Sequence, residues 1–374
     1  MAAIRRRAGN VELPSRPIAL FNEMRIGIFC TNNYPYPLPE GIIYANQMVA
    51  GVLADTLAEM GEEIILFAPE GSKTRARLET FGMKPYSDPA INSRYPDSYF
   101  YEHLMVSKIF CYARKYHLDL VHAHLRPFSV VPYAAVSGVT TLITVHDPLS
   151  YPAYKALPLA NEFKNIYYAA LSEAHRKVRL NLPWAGVVYN GVDLRQWRFS
   201  GAKGTYLCFV GRLMPQKGAD IAVWAALEAG LPLKIAGTIY DEDQKYFSEK
   251  IKPYLGSQIE YLGALGQRDI EKLYQGARAL LMPIRWEEPF GLVMVEAMAC
   301  GAPVIAFSRG AVPEIILDGE TGFVVDNQKS MVRAIEKVGK INRRRCRRQV
   351  EENFSAAGMA AGYLELYRRI ENGV

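Results

Sequence analysis

The stretch EEPFGLVMVEAMACG, residues 287–301, sets Glu288 and Glu296 against apolar and small residues. Glu296 follows Glu288 by eight positions. An isolated carboxylate in a dry interior costs roughly several kcal/mol, so it protonates, finds a partner or serves a ligand. Pro289 suits the first position of a helix, and Gly301 followed by Pro303 suits a helix stop. The pattern predicts a helix of about three turns whose first turn holds Phe290, Gly291 and Leu292. Free N–H groups at a helix start attract anions, and Gly291 would let a phosphate approach the backbone. A ligand lying along this helix could place a diphosphate at its start and sugar and ribose hydroxyls on Glu288 and Glu296. The plain alternative is a dipole-favoured surface acid at Glu288 and an exposed or salt-bridged Glu296.

A second candidate lies in FVGRLMPQKG, residues 209–218, where Gly211 ends an apolar run and Arg212 and Lys217 follow. Two cations across a turn can converge on a diphosphate, one as a planar fork and one as a point charge. IEYLGALG, 259–266, ends another run at Gly263, next to Leu265. His146 follows the run TTLITV, and Asp147-Pro148 breaks the chain there. His122 and His124 alternate at the end of LDLVHAH; one is expected in the core and the other toward a cleft, with Arg126 beside it. DED at 241–243 has the spacing of a metal-binding pair but reads as a solvated loop or helix start. KINRRRCRRQ, 340–349, reads as a solvated helical face, with anionic lipid as the lesser alternative.

These residues need a scaffold. RIGIFC, EIILFA, LDLVHAH, TTLITVHD and AGVVYNG are short apolar runs, and Met48, Val52, Leu53, Leu57 and Met60 recur at helical spacing between the first two. The series restarts with TYLCFVGR, LKIAG, IEYLG, ALLMPIR, PVIAFS and GFVVD. Strands separated by helices predict an α/β fold of two Rossmann-like, doubly wound domains, with ligands in a cleft at the strand carboxyl ends. We expect a flexible extension over residues 1–23, a first domain over 24–195 and a second over 196–354. Residues 355–374 carry Met359, Tyr363, Leu366, Tyr367 and Ile370 at helical spacing and predict a closing helix that crosses back to the first domain.

EPFGLVMVEAMACG resembles the E-x7-E signature of retaining glycosyltransferases of family 4, which have the GT-B fold. FVGRLMPQKG, YLGALGQRDIEKLYQGA and GAVPEIILDGETGFVV occur in the order and approximate spacing of that family. The resemblance implies a nucleoside-diphosphate sugar, UDP- or GDP-linked, as donor, a hydroxyl acceptor, and no required cofactor or metal. It implies that Arg212 and Lys217 bind the donor phosphates, that Gly263 and Leu265 line the base pocket, and that Gly211, Pro289, Phe290, Gly291 and Leu292 complete the donor site. It places Glu288 and His146 on the transferred sugar and Glu296 on the ribose. His124 and Arg126 are left as weaker acceptor-side candidates. Glu314 is typical of the family but suits a helix start equally, and Asn190 with Gly191 reads as an inter-domain turn. The sequence departs from the family in the loop 32–47, which has only Gly41 where a glycine pair is common. A glycan phosphorylase, a sugar-nucleotide epimerase and a non-catalytic sugar-nucleotide binder share the architecture; no segment resembles the pyridoxal-phosphate lysine site of the first.

Bulk composition narrows the partners. The net charge is +6 in 374 residues, well short of what nucleic-acid binders often carry. It is compatible with anionic substrates or with peripheral contact at the inner face of a membrane, as a lipid-linked acceptor would need. No apolar run approaches the ~20 residues of a membrane span. The five cysteines are scattered without metal spacing, which fits a reduced, cytoplasmic chain.

Overall fold

The computed structural model describes residues 24–42, 44–179 and 181–373. The expected extension over 1–23 lies outside them. The first half forms a sheet from β1 (Arg25–Phe29), β2 (Glu63–Phe67), β3 (Arg77–Glu79), β4 (Leu120–Ala123), β5 (Thr141–Thr144), β6 (Ile166–Ala170) and β7 (Trp184–Val187). The second forms another from β8 (Tyr206–Val210), β9 (Leu233–Ala236), β10 (Ile259–Tyr261), β11 (Ala277–Met282), β12 (Val304–Phe307) and β13 (Gly322–Val325). Every named strand pair is parallel. The spatial orders are β3-β2-β1-β4-β5-β6-β7 and β10-β9-β8-β11-β12-β13. Each sheet reverses direction of winding once, between β1 and β4 and between β8 and β11. Such reversals open a crevice at the strand carboxyl ends.

The strands are apolar throughout because both faces are covered. Ile64 and Leu66 of β2 enter one core while Ile65 and Phe67 enter the other. Cys208 and Val210 of β8 divide from Leu207 and Phe209 in the same way. The helical spacing after β1 becomes the helix Ala45–Glu59. Two strands escaped the sequence reading. β3 is a short edge strand whose RLE is half polar. β6, IYYAA, has no long aliphatic run to mark it.

The chain passes between the halves at 188–195 and returns at 354–356. The two passages pair: Val192 N–H donates to the Phe354 carbonyl, and Ala356 N–H donates to that of Val192. Gly191 is needed there, because a Cβ would fall 2.3 Å from the Ser355 carbonyl oxygen. The last helix, Ala356–Glu371, then lies on the first sheet, with Met359, Tyr363, Leu366, Tyr367 and Ile370 all buried alongside Leu53 and Leu57. The basic run 340–349 is divided: Lys340, Arg344 and Arg348 are exposed, as a solvated face requires, while Arg343 and Arg347 brace the structure. Arg343 donates to the carbonyls of Ser200, Gln275 and Ala277, and Arg347 to those of Trp197 and Ala299. Gln275, Ala277 and Ala299 lie at or just past helix ends, where carbonyls lack intrahelical donors.

Candidate active site

A cavity of about 650 Å³ lies in the crevice between the halves. The loop after β1 contributes Pro37, Glu40, Ile42 and Tyr44; the crossing contributes Gly191 and Val192. The ends of β8, β9 and β10 contribute Gly211, Arg212, Thr238, Tyr240 and Leu265. Leu292, Val293 and Glu296 form the remaining wall. The sheet reversal between β8 and β11 therefore brings Arg212 and Glu296, 84 positions apart in the chain, to one space.

Arg212 and Lys217 do not meet each other; each is held by its own carboxylate. The Arg212 Nε donates to Asp243 Oδ2, and Nη2 donates to Glu242 Oε1 at 2.7 Å. The guanidinium lies over the Tyr240 ring at 4.4 Å. DED forms the helical turn that leads into the helix Gln244–Lys250, as one of the two expected readings has it; Asp241 and Glu242 are exposed, and buried Asp243 orients Arg212. Nη1 of Arg212 makes no hydrogen bond among the described residues. Lys217 Nζ donates to Glu288 Oε2 at 2.9 Å and sits 4.7 Å above the Trp286 ring. Trp286 Nε1 donates to the same oxygen at 2.8 Å. Glu288 is buried, and both donors act on one oxygen; Oε1 accepts from no described residue.

The helix beyond Glu288 is shorter than its pattern predicts. It runs over Leu292–Ala299, and Pro289 and Phe290 precede it. The cause is Gly291, whose φ of 88° and ψ of 69° put the residue before the first turn in the left-handed region. That geometry favours glycine and ends helical propagation backward. Phe290 does not face the cleft; its ring is buried against Tyr189 and Phe354. The expected anion site moves to the amides of Gly291, Leu292 and Val293, which have no side-chain cap and no backbone acceptor among the described residues. Glu296, in the middle of this helix, accepts from Tyr274 Oη at 3.3 Å. Burial pushes its carboxyl up to about 7, against the weaker opposing effect of Tyr274.

The first half brings a histidine group to the ends of β4 and β5. His122 and His124 are both fully buried, so neither approaches the cleft as expected of one of them. His122 binds Tyr367 Oη through Nδ1 at 2.7 Å and Thr144 Oγ1 through Nε2 at 2.8 Å. His124 Nδ1 lies 2.9 Å from His146 Nε2. His146 is half-buried and does not line the 650 Å³ cavity; burial first, and His175 second, hold its pKa down at about 3. His175 touches the Asp147 carbonyl through Nε2 at 3.1 Å, and burial lowers it to about 4. Arg126 is exposed and stands 3.7 Å from Asp147 Oδ2, at the rim.

Gly41 has a positive φ and lies against Gly266, with Glu40 and Ile42 beside it on the cavity wall. Gly263 also has positive φ, and its carbonyl accepts from Gly237 N–H at 2.9 Å. Glu314 caps a helix, but one in the other half. Its two oxygens accept from the Glu173 and Ala174 amides at 2.9 and 2.7 Å, and Tyr189 Oη adds 2.8 Å. Trp286, Tyr240, Tyr274 and His175 escaped the sequence reading, and Asp243 was read without its pairing to Arg212. Only Trp286, two positions before Glu288, carried a local signal.

The family model for Glycosyl transferases group 1 matches residues 194–354, and that for Glycosyltransferase Family 4 matches residues 47–196. The chain belongs to glycosyltransferase family 4. This family 4 chain is 28% identical over 225 residues to an uncharacterized glycosyltransferase of Methanocaldococcus jannaschii, covering 56% of the chain and 61% of that protein. It is 30% identical over 181 residues to the D-inositol 3-phosphate glycosyltransferase of Rhodococcus erythropolis, covering 43% of the chain and 40% of that protein. The match thus spans less than two thirds of each relative. The fold matches that of HepE from Anabaena, solved with UDP and glucose, with a TM-score of 0.70 and 19% identity over 92% of this chain and 100% of that one. Among the described residues no helix is long and apolar enough to cross a membrane.

Proposed function

We propose that the chain is a retaining glycosyltransferase that moves a hexose-type sugar from a UDP- or GDP-sugar to an acceptor hydroxyl. The supporting observation is the convergence of Arg212, Glu296 and the uncapped helix start at Leu292 and Val293 on one cavity at a sheet reversal. A fold shared with a protein that binds UDP and glucose supports the donor class. Residues 196–354 hold the nucleotide, 24–195 the acceptor, and 355–374 return to the first domain. Glu296 accepts ribose hydroxyls once ionised. Glu288 offers Oε1 to the sugar, and His146, which lies outside the 650 Å³ cavity, would contact the sugar from the first half.

As the bond from the anomeric carbon to the diphosphate breaks, negative charge grows on the phosphate. Arg212 turns its free Nη1 to that charge while Asp243 and Glu242 hold the other nitrogens. Lys217 supplies a point charge from beside Glu288. The acceptor oxygen bonds to the anomeric carbon on the same face, and its proton passes to the leaving phosphate. Preorganised donors aimed at developing charge act without reorganising during the reaction.

The test is release of nucleoside diphosphate from a panel of UDP- and GDP-sugars, with and without acceptor extracts. Arg212→Ala and Lys217→Ala should each lower kcat by roughly 100-fold or more in chains that remain folded, with some loss of stability from the carboxylates left unpaired. Normal turnover in both variants removes the phosphate roles.

A further inference from the structure

We propose that His124, which no substrate can touch, is a positioning residue that fixes which nitrogen of His146 carries a proton. The role of His146 toward the sugar rests on the function proposed above; the proton assignment does not.

One proton lies between His124 Nδ1 and His146 Nε2, 2.9 Å apart. Burial disfavours a cationic ring for either. Two arrangements of neutral rings remain. If His146 donated, His124 would carry its own hydrogen on Nε2. That nitrogen is sealed from solvent and has no partner among the described residues. The arrangement would bury an unpaired N–H, and orphaned buried N–H groups are rarer than unpaired acceptors. If His124 donates from Nδ1, its Nε2 is bare and no N–H is stranded. His146 then accepts through Nε2 and holds its hydrogen on Nδ1.

The consequence lies in the cleft. His146 Nδ1 has no partner among the described residues, and the ring is half-buried at the end of β5. It presents a neutral N–H donor, suited to an oxygen that keeps its lone pairs free, such as a sugar hydroxyl or ring oxygen. The opposite tautomer would present a lone pair and select a donor. The ring of His124 packs at a tilt against His122, with ring centroids 4.3 Å apart, and Tyr367 and Thr144 hold His122. The closing helix thereby helps hold the ring that sets the tautomer.

Nitrogen NMR on the full chain with labelled histidine tests this directly. Only six histidines contribute, and His146→Gln and His124→Asn assign the two signals. The expected result is a hydrogen on Nδ1 of both rings, without nucleotide present. His124→Leu should move the His146 hydrogen to Nε2, whereas His124→Asn, which can place an amide donor where Nδ1 stood, should leave it on Nδ1. A wild-type His146 protonated on Nε2 overturns the proposal, as does a tautomer unmoved in His124→Leu. A separate titration with UDP reports on the functional reading: failure to bind would remove that reading and leave the tautomer result standing. With a donor in hand, His124→Leu should lower kcat roughly tenfold or more with donor KM within about twofold, the pattern of a misoriented group and not a lost nucleotide site.

Discussion

Glu296 holds its proton more tightly in the folded chain than in the unfolded one, because the helix Leu292–Ala299 carries it into an apolar wall with only Tyr274 to compensate. Its contribution to stability is fully present below pH 4.5 and is lost as pH rises through about 7. Glu296→Gln should flatten that slope between pH 4.5 and 7, read from urea unfolding at several pH values. An identical slope in the variant would remove burial as the cause. The same ionisation prepares the site, since an ionised carboxylate accepts hydroxyls without offering a competing proton. UDP affinity should rise with pH through about 7 in the native chain and lose that dependence in Glu296→Gln. Arg212 shows the complementary design. Buried Asp243 and the Tyr240 ring align the guanidinium, leaving one nitrogen for a ligand.

Elements from opposite halves complete each other's unsatisfied ends. The short helix Glu173–Lys177 begins at Ser172, whose hydroxyl caps His175 N–H and also donates to the Pro289 carbonyl across the crevice. Its next amides, on Glu173 and Ala174, are taken by Glu314 of the second half. A carboxylate on helix-start amides is favoured by both hydrogen bonding and the helix dipole. Glu314→Ala strands those amides and the Tyr189 hydroxyl and should cost about 2 kcal/mol in chemical denaturation. Glu314→Gln keeps an acceptor and should cost less. A loss smaller in Ala than in Gln would mean that the cross-cleft contact contributes nothing.

At the scale of the whole molecule, the two passages of the chain are zipped at Val192 and Ser355, and the closing helix anchors the second half to the first sheet. That anchor runs through neutral histidines. Burial holds His122, His124, His146 and His175 below the ordinary value of 6.5. A histidine with a lowered folded pKa contributes stability that is present above 6.5 and lost as pH falls toward its folded value. Hydrogen exchange should therefore show protection lost first in β4, β5 and the helix Ala356–Glu371 as pH drops from 6.5 toward 4. Earlier loss in β8 and β11 would contradict this.

Apart from β3 and β6, the strands, their parallel layering and the helical spacing after residue 355 were legible in the sequence. They follow from local periodicity, and runs such as EIILF can be stable only when covered on both faces. Gly211 and Arg212 were legible as residues at the end of a strand, because doubly wound sheets expose the carboxyl ends of their strands. The partners were not. Lys217 finds Glu288 71 positions away, and His122 finds Tyr367 across 245. Nothing in local spacing distinguishes those acids and tyrosines from many others. The same limit hid the burial of His124 and the bracing role of Arg343. Whether a polar side chain faces water, a ligand or a neighbour depends on which elements pack against it, and packing is settled only when the whole chain is folded.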